Sequence, residues 1–158
     1  MKLTFDDIGT FNNFNHARAR LGDKMGIIDF NGNFVVPFEY DAEEDCPIFD
    51  VFSETDTFLM RKNGYLGIIN TKNEIFIPFE YDGINSFQMI LDYIPVCKDK
   101  KWGIIDKNNN VIVDFVYDEI DVDWKDNNLN SREKTKVYYI ARINGKPQIF
   151  NHLAKRVI

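Results

Sequence analysis

The chain has 158 residues, 44% apolar and 15% aromatic, enough to bury a core and too many for a disordered polymer. Its formal net charge of −6 disfavours nucleic acid as a partner, although a late basic run (Arg132, Lys134, Lys136, Arg142, Lys146, Lys155, Arg156) is interleaved with Tyr138 and Tyr139. No apolar run approaches the roughly 20 residues of a membrane-spanning helix, and Met1 to Asp7 lacks the pattern of a secretory signal, so the expected location is cytoplasmic.

Residues 1–13 read as a lead-in. From Phe14, His16, Arg18 and Arg20 alternate with Ala17, Ala19 and Leu21, a period of two that predicts a strand. Gly22-Asp23 turns the chain into a second strand, Met25 to Asp29. Asn31-Gly32 then reads as a hairpin turn, since both residues tolerate positive φ. Phe34-Val35-Val36 follows, stopped by Pro37 and closed by Tyr40-Asp41. Three apolar residues in succession predict a third strand covered on both faces.

The pattern then recurs. Tyr65-Leu66-Gly67-Ile68-Ile69-Asn70 and Lys101-Trp102-Gly103-Ile104-Ile105-Asp106 repeat Lys24-Met25-Gly26-Ile27-Ile28-Asp29, with the glycines 41 and 36 residues apart. Ile75-Phe76-Ile77 and Val111-Ile112-Val113 repeat the apolar triplet; Tyr81-Asp82 and Tyr117-Asp118 repeat the close. A worn fourth copy runs from Arg142 to Asn151, with Pro147 and Gln148 in place of the Trp and Gly. A period of this size marks a repeat protein.

These residues resemble the WG repeat family, whose units carry a Lys-Trp-Gly-hydrophobic-Ile-Asp core and a Pro-hydrophobic-Tyr-Asp close. Only Trp102-Gly103 keeps the Trp-Gly pair, and Asp114 replaces the proline found at Pro37 and Pro78. The resemblance implies an all-β fold of about four stacked three-stranded antiparallel meanders, the last truncated, as an open array or small propeller-like assembly. The expected divisions within one domain are 1–13, 14–56 with an acidic connector, 57–92, 93–136 with a long insertion, and 137–158. The recurrent tyrosines are expected in the core. The aspartates after them should bond backbone amides, and the motif glycines should admit a neighbouring unit.

Catalytic chemistry is looked for and not found. No GxGxxG, P-loop, HExxH, GxSxG or CxxC occurs, and the two cysteines, Cys46 and Cys97, make neither a disulfide framework nor a metal motif. His16 and His152 fall at ordinary strand or turn positions. Charge is uneven: Met25 to Met60 holds nine acidic residues and no Lys or Arg. Function is therefore expected in the connectors, at Glu43, Glu44, Asp45, Phe49 and Phe52 in the first and at Asp121, Asp123 and Trp124 in the third. The expectation is a non-enzymatic protein-binding repeat protein without cofactor or metal. Its expected role is that of a small bacterial immunity or inhibitor protein that neutralises a toxic partner with a basic active site, such as a toxin or nuclease domain. A generic scaffold or sensor module is the alternative, and a hydrolase using the acidic connectors the third.

Overall fold

The computed structural model describes residues 4–42, 56–85, 92–124 and 137–158, and every regular element among them is a β-strand. The chain gathers into two compact units, Met1–Glu80 and Tyr81–Ile158. In the first, β1 (Asp7–Ile8), β2 (His16–Leu21), β3 (Lys24–Asp29) and β4 (Phe34–Asp41) form a sheet in that order. Beside it in the same unit, β5 (Thr57–Lys62), β6 (Tyr65–Asn70) and β7 (Ile75–Tyr81) form a second sheet, β7 ending on the first residue of the other unit. In the second unit, β8 (Gly83–Ile84), β9 (Tyr93–Lys98), β10 (Lys101–Asp106) and β11 (Val111–Tyr117) form one sheet. The last sheet is β12 (Glu119–Trp124), β13 (Val137–Ile143) and β14 (Lys146–Asn151). The fold is all-β, built of small open antiparallel sheets. No described helix is long and apolar enough to cross a membrane.

Two of the four sheets have four strands, because the chain adds an edge strand ahead of the meander. Phe5-Asp6 leads into β1, Tyr81-Asp82 into β8 and Tyr117-Asp118 into β12. The lead-in and the start of the third connector are thus paired backbone. Asp7 lies opposite Arg20, Gly83 opposite Cys97, and Glu119 opposite Arg142.

The third strands do not stop at proline. β4 runs through Pro37, and Met25 faces Tyr40 while Ile27 faces Val36, so the outer strand carries extra residues in a bulge. The bulge seats Phe38 over Gly26: a Cβ there would meet the Phe38 ring at 2.7 Å and the Val36 carbonyl at 2.9 Å. Gly67 stands in the same relation to Phe79 and the Ile77 carbonyl, and Gly103 to Phe115 and the Val113 carbonyl. The motif glycines therefore accommodate the third strand of their own sheet, not a neighbouring unit. A bulge needs no proline, which is why Asp114 serves in β11.

Only the last residue of each apolar triplet is buried: Val36, Ile77 and Val113. Phe34, Ile75, Phe76, Val111 and Ile112 are exposed, so the third strands are covered on one side only, as suits a strand at a sheet edge. Met25, Ile27, Val36, Tyr40, Phe58 and Ile69 make the core of the first unit. In the second, Ile104, Val113, Tyr117, Val137, Tyr139 and Phe150 do so. Arg18 is buried, and its Nη1 donates to the Leu59 carbonyl at 3.0 Å.

The hairpins β5–β6, β9–β10 and β13–β14 turn on Asn63-Gly64, Asp99-Lys100 and Asn144-Gly145, each with two positive φ angles. At Asn31-Gly32 only Gly32 takes a positive φ, because that turn is of another kind, described below. Lys100 holds φ of 62° where the other two hairpins have glycine. Lys100→Gly should raise stability by up to about 1 kcal/mol, since it relieves left-handed strain. Gly103→Ala should lower it by roughly 1–3 kcal/mol, because the new methyl would lie 2.6 Å from a backbone oxygen. Urea denaturation of the three proteins checks both signs.

Candidate functional site

A single turn design joins second strands to third strands throughout the chain. In Asp29–Asn33, the Asp29 Oδ1 accepts the Asn31 N–H at 2.8 Å and the Asn33 N–H at 2.9 Å. Asn70, Asp106 and Asn151 bind the amides two and four residues on in the same way. Asn12 does so too, accepting from Phe14 and His16 at 3.0 Å. The fourth residue takes positive φ in all five: Asn15, Gly32, Asn73, Asn109 and Ala154. A short acceptor side chain and one left-handed residue specify the turn, and the second and third positions are left free.

In the first sheet those free positions carry phenylalanines. Phe30 is 72% exposed and Phe14 49% exposed, each at the tip of its turn. Thr71 and Lys107 hold the place of Phe30 elsewhere, and both are tied down: the Thr71 hydroxyl donates to Asp56 at 2.8 Å, and the Lys107 ammonium meets Asp92 at 3.0 Å. Phe11 supports Phe30 from the side, edge-on at 5.4 Å between centroids. Phe14, Asn15, His16, Asp29, Phe30 and Asn31 line a groove of about 360 Å³ between the two turns.

His16 is held from behind. Its Nδ1 lies 2.9 Å from Asp56 Oδ1, which also receives the Asn12 amide at 3.3 Å, while Thr71 donates to Oδ2. A carboxylate can only accept, so the Nδ1 proton belongs to His16, and in the neutral ring Nε2 remains an acceptor. The same Asp–His arrangement orients general bases in hydrolases. Here the hydroxyl in the cluster, that of Thr71, donates to Asp56 and is not paired with the imidazole. Asp29 keeps its carboxyl below the usual range chiefly through the Asn33 side-chain amide and then the backbone N–H groups of its turn. Among the described residues no three His, Cys, Asp or Glu side chains gather to hold a metal ion. The groove therefore offers two exposed phenyl rings, an imidazole, a carboxylate and several further acceptors.

The residues singled out from the connectors lie elsewhere. Glu43, Glu44, Asp45, Phe49 and Phe52 fall outside the described residues. Asp121, Asp123 and Trp124 sit on β12 in the second unit, in a strand and not in a polar loop, with Trp124 backbone-paired to Val137. Asp121 is ion-paired, accepting from Arg142 at 2.6 Å beside Glu119 at 3.0 Å, whereas Asp123 is exposed. The groove is legible in the sequence only by aligning Asn12–His16 on the later turns and noticing phenyl rings where Asn70–Glu74 and Asp106–Asn110 are polar.

Asp29, Asp106 and Asp118 all have lowered carboxyl pKa values, led by side-chain donors Asn33, Asn110 and Lys101 respectively. A group depressed in the folded state contributes stability above its unfolded value, and that contribution is lost as pH falls through the folded one. The melting temperature should therefore fall progressively below about pH 4. Asp29→Asn keeps the turn, as Asn70 and Asn151 do, and should shallow that acid decline. Thermal melts between pH 7 and pH 2 on both proteins check it; an unchanged decline would show that Asp29 is not coupled to folding.

A family model described as a WG containing repeat matches residues 25–65, 67–102 and 102–146. Comparison with curated proteins and comparison with solved structures each find no match.

Proposed function

The chain belongs to the WG-repeat family, and from that premise we propose that it is a non-catalytic protein-binding module. The observation that carries the reading is Phe30, an aromatic ring 72% exposed at a turn position where the scaffold requires nothing apolar. Large aromatics held out by a rigid frame are typical anchors of protein interfaces, where desolvating one ring dominates binding. Phe14 is exposed on the same groove, so the two rings make a shared apolar surface and not a single scattered side chain.

The chain's net charge of −6 and the run from Met25 to Met60 without Lys or Arg favour a basic partner. Acidic surfaces speed the approach of such a partner, and aromatic anchors slow its departure. A protein whose own active site is basic, such as a toxin acting on nucleic acid, has that character. Neutralising such a toxin in the cytoplasm is the biological role that follows.

The test uses the full chain and its Phe30→Thr variant as baits in the native cytoplasmic extract, with the captured partner then purified. Thr71 occupies the same turn position, so the variant retains the scaffold. The parent should hold one basic protein in stoichiometric amount, and the variant should bind it about 30-fold more weakly, the ~2 kcal/mol of an interface hot spot. Parental affinity in the variant would remove the groove from the interface.

A further inference from the structure

The lining of the groove restricts what can lie in it. Phe14 and Phe30 present exposed rings, and the electron-rich face of such a ring attracts a cation. Asp29 supplies negative charge; its Oδ1 takes two backbone amides and its Oδ2 one amide from Asn33 at 2.8 Å, so Oδ2 retains acceptor capacity. His16, fixed by Asp56 through Nδ1, leaves Nε2 as an acceptor in the neutral ring. Asn15 and Asn31 add amide carbonyls, and among the described residues no Lys or Arg lines the cavity.

From this we infer that the groove is a receptor for an arginine side chain of a protein partner. The inference rests on the protein-binding reading and names the group the partner inserts. A guanidinium is planar and stacks on aromatic faces, and its five N–H donors match acceptors spread around a rim. An ammonium concentrates its charge on a strongly hydrated point and gains less from a flat ring. A quaternary ammonium has no donors and would leave the Asp29, His16 and asparagine acceptors unanswered. An acidic ligand would meet Asp29 with like charge. The site is built on turns fixed by their own side-chain hydrogen bonds, so the acceptors are in place before a ligand arrives.

The experiment titrates the isotope-labelled full chain with N-acetyl-arginine amide, N-acetyl-lysine amide and free arginine at low salt, following backbone amide resonances. The blocked arginine compound should give saturable shifts confined to residues 12–16 and 29–33. The lysine compound should bind at least fivefold more weakly. Phe30→Thr and Asp29→Asn each retain a residue type that the same turn uses elsewhere in the chain, and each should weaken arginine binding at least fivefold, with amide resonances outside residues 12–16 and 29–33 unchanged as the sign that the fold is kept. No saturable shift at these turns, equal affinity for the lysine compound, or parental affinity in both variants would overturn the assignment. Tighter binding of free arginine than of the blocked compound would overturn the protein source of the ligand. If the arginine compound fails while Phe30→Thr still loses the captured partner, this inference falls and the protein-binding reading stands. Arginine binding with undiminished capture by the variant upholds the arginine site and removes the groove from the captured partner's interface.

Discussion

Each sheet is held by a carboxylate delivered just ahead of it in the chain. Asp41 Oδ2 accepts the Gly64 N–H, Asp82 that of Lys100, and Asp118 that of Asn144, each in the first hairpin of the following sheet. Asp6 does the same for Gly22. The acceptor satisfies a turn amide that has no partner within its own hairpin, and it fixes where the next sheet begins. These bonds are exposed, so each contributes little free energy by itself. Their value lies in register: the residues after each aspartate are set to pair as an edge strand wherever they do so, as at Gly83 and Glu119. Once that edge is placed, the meander that follows has one frame to occupy.

The aromatic residue before each aspartate completes the link, and its partners vary together. Tyr40 packs at a tilt against Phe79 and donates to Asn73; Tyr81 stacks against Phe115 and donates to Asn109. Burial is the main reason the Tyr40 hydroxyl titrates at about 12, with Glu39 adding to it. An unpaired hydroxyl in such a place would cost about 1–3 kcal/mol. At the first position Phe5 stacks on Phe38, and the residue aligned with Asn73 is Gly32, whose Cβ position lies 3.8 Å from the Phe5 ring. The ring without a hydroxyl meets a residue without an acceptor. At the last position that residue is Ala154, and Tyr117 turns to Gln148 instead. The chain has thus kept each of these tyrosine hydroxyls paired while letting the partner residue types drift.

These relations explain what can be read without coordinates. The second strands and tyrosines are legible because their burial imposes a strict apolar pattern, and Met25, Leu66 and Tyr117 all prove buried. The outer strands mislead because three apolar residues in a row look doubly covered, whereas Phe34, Ile75 and Val111 are exposed. Proline at 37 and 78 looks like a stop, because a bulge places its extra residues by partner geometry that no periodicity announces. The short edge strands look like lead-in and connector, since two residues such as Asp7-Ile8 carry no period. The five-residue turn is obscured at its first occurrence, where Asn12 stands for the aspartate, and Asn-Gly suggests a simpler hairpin one turn later.

The same economy points to where function can be added. In the five-residue turn, the first and fourth positions are fixed by hydrogen bonding and φ, and the strands on either side by burial. The second and third positions answer to nothing in the fold, and the chain uses them differently each time. Thr71 and Lys107 reach back to Asp56 and Asp92, reinforcing the scaffold. Phe30 makes no polar contact that the fold needs, yet it is held out on a turn stiffened by Asp29 and backed by Phe11. Asp56 here takes a further role, because Asn12 and His16 converge on the carboxylate that Thr71 already engages. A tie that serves structure in one sheet therefore also orients an imidazole in the neighbouring one. Recognition of a partner asks only for substitutions at unconstrained turn positions beside that tie, and the fold tolerates them because its stability is decided elsewhere.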